Sequence, residues 1–230
     1  MVLDRLGLAN MDSVRSAAEG ALIAAIGLPG CGKSSVFREL GKLHQVPVFH
    51  EPEEKEWPDA VHKREAVGEF TAITWFRSQR VPQLFEADTI RRSGQIALVD
   101  SYYDKLITYY LGKPGMEWLI ARSNPYFDLT FRMAEIDRKC LPNADIVVSF
   151  ELEEKIWRSF LSVRNRELDR HQGLLASFAT QEHFRDAAAR YCGETGSKLI
   201  TFKQRISTPL EAAGELSSLL CDSGVFGKTL

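Results

Sequence analysis

Leu22-Ile-Ala-Ala-Ile-Gly27-Leu-Pro-Gly30-Cys31-Gly32-Lys33-Ser34-Ser35 is the stretch whose reading decides the fold. A short apolar run, residues 22–26, reads as a buried strand. It leads straight into Gly27-x-x-x-x-Gly32-Lys33-Ser34, the full Walker A pattern, and then into a helical stretch. Strand, glycine loop and helix in that order are the context that gives the motif meaning. The glycines let backbone N–H groups turn inward around a polyphosphate, and the N-terminus of the next helix faces the same anion. On this reading Gly27, Gly30, Cys31, Gly32, Lys33, Ser34 and Ser35 form the cradle. Lys33 reaches the terminal phosphates and the Ser34 hydroxyl holds magnesium.

Working outward, residues 34–43 carry Val36, Phe37, Leu40 and Leu43 at helical spacing, an amphipathic helix made to pack on a sheet. Residues 46–49, Val-Pro-Val-Phe, read as a second strand that delivers Glu51 to the crevice where parallel α/β sheets bind ligands. Residues 59–92 read as helical, with Pro82 required to kink or break the run. At 100° per residue Phe70, Ile73, Arg77 and Arg80 share one narrow face. An aromatic ring beside two guanidinium groups suits a flat base with an anionic tail, although core packing with snorkelling arginines gives the same stripe. Residues 96–100, Ile-Ala-Leu-Val-Asp, read as a buried strand ending in a Walker B carboxylate, Asp100, that anchors magnesium.

Ser101-Tyr102-Tyr103-Asp104 is expected to open a helix carrying Tyr109 and Tyr110, followed by a helical region with Trp118, Phe127, Phe131 and Met133 in the core. Residues 145–150 form the fourth strand. The next segment, residues 151–170, gathers Arg158, Arg164, Arg166 and Arg170. A mobile arginine-bearing lid over residues 158–180 would neutralise a transferring phosphoryl group and exclude water. A helix at residues 181–192, a strand at 198–202 and a helix at 208–220 close the chain.

The 230 residues allow one sizeable core, read as one domain over residues 21–230 after an N-terminal extension, residues 1–20. A formal net charge of −2 argues against a general nucleic-acid binder. The four cysteines are scattered with no C-x-x-C pair, which fits a reduced, cytoplasmic protein. No stretch has the length of a membrane span, and the N-terminus lacks the apolar centre of a signal peptide.

With these residues in place, the chain resembles the thymidylate kinase and deoxynucleoside kinase branch of P-loop kinases. Glu51-Pro52 resembles the Glu-Pro that ends their second strand, and Lys55-Glu56-Trp57 resembles a Lys-Trp of deoxynucleoside kinases. Residues 70–83 resemble the aromatic and arginine helix of thymidylate kinases, with Arg80 in the place of the phosphate-gripping arginine. Asp100-Ser101-Tyr102 followed by Thr108-Tyr109-Tyr110 resembles Asp-Arg-Tyr followed by Ala-Tyr-Gln, and Arg164-Asn165-Arg166-Glu167 resembles the lid pattern. The resemblance implies a three-layer α/β/α sandwich around a parallel sheet of about five strands in the order 2-3-1-4-5. It implies ATP and Mg2+, and transfer of the γ-phosphoryl group to a nucleoside monophosphate or a deoxynucleoside, with a homodimer left open.

The roles implied are Lys33, Glu51, Arg164 and Arg166 in catalysis, and Glu51, Trp57, Phe70, Arg77, Arg80 and Tyr109 around the acceptor. Two arginines on the Phe70 face point to a monophosphate. Two departures bear on the acceptor: Ser101 stands where these families favour Arg, and Glu53-Glu54-Lys55 where thymidylate kinases carry Gly-Gly-Thr. A kinase for another small hydroxyl compound, or a nucleotide-binding regulator, uses the same donor motifs.

Overall fold

A computed structural model describes residues 20–63, 68–164 and 177–226 of the chain. Five parallel strands form one sheet in the order β2-β3-β1-β4-β5: β1 Leu22–Gly27, β2 Val48–Phe49, β3 Ala97–Val99, β4 Ile146–Glu151 and β5 Lys198–Lys203. The order is the one that the resemblance implies, in a three-layer α/β/α sandwich. β1 is buried at every residue because it has a neighbour on each edge and helices over its faces, and its composition, Leu-Ile-Ala-Ala-Ile-Gly, is apolar throughout. β5, at an edge, alternates exposed Lys and Thr with buried Ile200 and Phe202.

The sheet sets the position of the site. β1 pairs with β3 through Leu22↔Ala97 to Ala24↔Val99 and with β4 through Ile23↔Ile146 to Gly27↔Phe150. The chain leaves β1 towards β2 on one side and returns to β4 on the other, so a crevice opens at the carboxyl ends of the central strands.

The described helices are α1 Lys33–His44, α2 Asp59–His62, α3 Glu69–Arg92, α4 Tyr103–Leu106, α5 Phe127–Cys140, α6 Glu154–Arg164, α7 Gln181–Thr195 and α8 Pro209–Asp222. α1 buries Val36, Phe37 and Leu40 and packs on α8, whereas Leu43 stays half exposed beyond the contact. α8 starts at a capping box in which Thr208 Oγ1 accepts from the Glu211 N–H and the Glu211 carboxylate takes the Thr208 N–H.

The helix expected over residues 59–92 is two helices, α2 and α3, with Gly68 as the N-cap residue of α3 at φ 86°. Pro82 lies inside α3 and does not end it. Leu84 and Ala87 are buried beyond Pro82 and Ala72 and Ile73 before it, and this packing outweighs the one backbone bond that the proline removes. The helix expected after Ser101 is a single turn, α4, continued by a 3-10 turn at Ile107–Tyr109. Phe131 lies on the exposed side of α5 rather than in the core. The arginine segment is helical as far as Arg164; Arg166, Arg170 and most of the expected lid fall outside the described residues, as does nearly all of the N-terminal extension. No helix among the described residues is long and apolar enough to cross a membrane.

Candidate active site

β1 hands over to α1 through a loop whose backbone only glycine adopts comfortably. Gly30 has φ 79° and Gly32 φ 93°, and a methyl group on Gly30 would lie 2.6 Å from Leu161 Cδ2. Nothing from a side chain caps the N-terminus of α1, so its positive end faces the crevice. Lys33 is buried, and its Nζ donates to the carbonyls of Gly27 (3.1 Å) and Leu28 (3.0 Å) and to the Tyr103 hydroxyl (3.0 Å). Burial works against its charge, but Cys31, Tyr103 and Glu51 outweigh it and hold the ammonium above its usual pKa. The Tyr103 hydroxyl in turn donates to Gly27 O at 2.8 Å, and burial, opposed by Lys33, pushes its pKa up to about 12. Over the other side of the loop lies α6. Trp157 Nε1 donates to Pro29 O at 2.8 Å, Arg164 lies beside Gly30, and Phe160 and Gln204 flank Gly32.

Across the crevice the ends of β2 and β3 bring carboxylates together. Asp100, 1% exposed, takes the Glu51 N–H at 3.1 Å on one oxygen and meets His50 Nδ1 at 2.8 Å on the other. Glu51 Oε1 accepts from Arg80 Nη1 at 2.8 Å and from Ser101 Oγ at 3.0 Å. Arg80 also grips Asp104 in fork geometry, Nε to Oδ2 at 2.7 Å and Nη2 to Oδ1 at 3.0 Å. Burial opposes the Arg80 charge; Asp104 and then Glu51 more than restore it. Position 101 therefore supplies a neutral hydroxyl donor to Glu51.

One cavity of about 870 Å³ joins the two halves. Gly30, Gly32, Lys33, Ser34, Ser35 and Arg164 line its phosphate-loop end, and Glu51, Trp57, Ile73, Phe76, Arg80 and Tyr110 line the other. Trp57 is oriented by donating Nε1 to Pro52 O at 3.0 Å and stands edge-on to Phe76 at 5.1 Å.

Three expected acceptor residues are elsewhere. Phe70 stacks on Tyr126 with centroids 4.8 Å apart. Arg77 is locked to Asp137 by two 2.6 Å bonds, and that pairing raises its pKa. The Tyr109 hydroxyl donates to Glu194 at 2.6 Å, while its neighbour Tyr110 lines the cavity. Of the cradle, Gly27 contributes a carbonyl to Lys33 and Tyr103, and Cys31 is buried beneath the loop. Arg158 is exposed and pairs with Glu154 one helical turn away.

The sequence reading assigned nothing to Tyr103, Asp104, His50 or Phe76. Asp104 had a signal: it stands four residues after Asp100, on the first turn behind a strand that ends at the crevice. Phe76 lies one residue from Arg77 and shows that the cavity face of α3 is rotated from the Phe70 stripe.

The donor set also bears on magnesium. Among the described residues no three His, Cys, Asp or Glu side chains gather to hold an ion. Mg2+ keeps several waters and takes one or two protein oxygen ligands beside substrate phosphates; the Ser34 hydroxyl, which lines the cavity, and the Asp100 carboxylate, at the end of β3, are oxygen donors of the kind it takes.

No protein-family model matches the chain, and no curated protein matches it by sequence. Solved structures do match. Thymidylate kinase from Candida albicans superposes with a TM-score of 0.58 at 14% identity, over 91% of this chain and 95% of that one. Deoxyadenosine kinase from M. mycoides superposes with TM-scores of 0.56 in two structures. The one with the products dCMP and dCDP is 17% identical over 88% of this chain and 99% of that one, and the one with bound dATP is 15% identical over 86% and 99%. This chain shares its fold, helices around a five-stranded parallel sheet in the order 2-3-1-4-5, with thymidylate kinase and deoxyadenosine kinase.

Proposed function

We propose that this protein is an ATP-dependent phosphotransferase that moves the γ-phosphoryl group to a nucleoside or nucleotide. The observation that carries the reading is a single cavity with the phosphate loop and Lys33 at one end and the Glu51–Arg80–Asp104 cluster at the other. Lys33 leaves its loop carbonyls for the β- and γ-phosphate oxygens, which offer it full negative charges in place of dipoles. The amides at the start of α1 hold the same phosphates. Ser34 and Asp100 would hold magnesium, which would supply charge neutralisation beside the phosphates. Arg164, beside Gly30, adds a positive charge where negative charge grows on the transferring group. At the far end Phe76 and Trp57 offer aromatic surface to a base, and Glu51 orients the acceptor.

The test is mass spectrometry of products after incubation with Mg-ATP and a mixed pool of nucleosides and nucleotides. A species heavier by one phosphoryl group, with matching ADP, is the expected result. ATP hydrolysis with no phosphorylated acceptor would refute the proposal.

A further inference from the structure

We infer that the acceptor is an uncharged nucleoside and not a nucleoside monophosphate; this deepens the kinase reading and rests on it. Arg80, the cation at the acceptor end, already answers to Asp104 with two bonds and to Glu51 with a third, and its side chain is 12% exposed. Two carboxylates on one guanidinium leave that end net negative before any substrate enters. Arg77, which would balance it, is locked to Asp137 and does not line the cavity. Position 101 holds a neutral serine. Of the other cations on the cavity wall, Arg38 and Lys55 pair with Glu53, and Lys33 and Arg164 sit at the phosphate loop. A phosphate dianion would have to displace a buried carboxylate from Arg80 or lie against Glu51, and both are costly in a low-dielectric cavity.

A hydroxyl group meets the opposite situation. Both donors to Glu51 fall on Oε1, so Oε2 has no donor among the described residues and is available to an acceptor O–H. In the reaction the acceptor oxygen bonds to the γ-phosphorus, the bond from that phosphorus to the bridging oxygen breaks to release ADP, and the hydroxyl proton passes to Glu51. Ser101 and Arg80 keep Oε1 in place while the proton moves.

The experiment compares matched pairs, each of the common ribonucleosides and deoxynucleosides with its own monophosphate, under Mg-ATP, by initial rate of ADP release and by product mass. A kcat/KM at least about a hundredfold higher for the best nucleoside than for its monophosphate is expected. A second arm uses Asp104→Asn, with a thermal melt to confirm folding. Removing one of the two carboxylates releases half of Arg80, so inhibition by the monophosphate should strengthen at least tenfold. Preferred conversion of a monophosphate to a diphosphate overturns the inference and leaves the kinase reading standing, as does unchanged inhibition in a folded Asp104→Asn. Turnover of neither member of any pair overturns both.

Discussion

Glu51→Gln separates chemistry from architecture, because the structure predicts a small effect on one and a large effect on the other. Glu51 Oε1 receives Arg80 Nη1 at 2.8 Å and Ser101 Oγ at 3.0 Å, and a glutamine carbonyl in the same place keeps both donors. Arg80 retains the two bonds to Asp104, so no buried charge is orphaned. What is lost is the difference between a charged and a neutral hydrogen bond, about 1 kcal/mol, on a side chain that is 31% exposed. For a chain of this size that lowers Tm by about 2–4 °C. Loss of a general base costs about 10²–10⁴-fold in rate, or roughly 3–5 kcal/mol on the barrier. The assay is kcat and KM for the best nucleoside beside a melting curve. The account expects kcat down by at least about a hundredfold, KM within tenfold and Tm nearly unchanged. A kcat within threefold of the parent would refute the argument for Glu51, and a Tm drop beyond about 10 °C would refute the argument for the clamp.

Three further outcomes follow from other parts of the molecule. Gly30→Ala puts a methyl 2.6 Å from Leu161 Cδ2 in a left-handed backbone, so nucleotide affinity and Tm should both fall, read by calorimetric titration and melting. Thr208→Ala opens the capping box of α8 and should lower stability by about 1 kcal/mol in denaturant melts with kcat unchanged. Lys105 is 2% exposed, donates to Leu141 O, and burial lowers its pKa from 10.5 to about 8. Between those two values the unfolded chain binds the extra proton, so the parent protein gains stability as pH rises through that window. Lys105→Met escapes the buried charge and should be more stable by about 1–2 kcal/mol at pH 7, after loss of the Leu141 bond. Its advantage should vanish by about pH 10, and a pH-independent difference in urea melts would contradict the burial argument.

The donor half was legible because its signals are local. A buried strand, left-handed glycines and an uncapped helix start are written in consecutive residues, with Lys33 and Ser34 on the first turn of α1. The acceptor half was not, because it depends on partners far away in sequence. Helical periodicity correctly put Arg77 and Arg80 near one another on α3. It could not show that Asp137, 60 positions on, would take Arg77 out of the cavity, or that Asp104 and Glu51 would share Arg80. Tyr109 was expected in the cavity and Tyr110 lines it instead, because the Tyr109 hydroxyl goes to Glu194, 85 positions on. Of the two outcomes expected at Pro82, a break does not occur, because α3 packs on β3 and buries residues on both sides of the proline.

The central claim is that the loop around Lys33 gathers a triphosphate with its metal. Titration calorimetry of the full chain with ATP, with and without magnesium, beside Lys33→Met, tests it most directly. The account predicts magnesium-dependent binding that weakens by at least about tenfold when the ammonium is removed, the worth of one charge-assisted hydrogen bond. Equal affinity in parent and variant, or no binding of ATP by the parent, would contradict it.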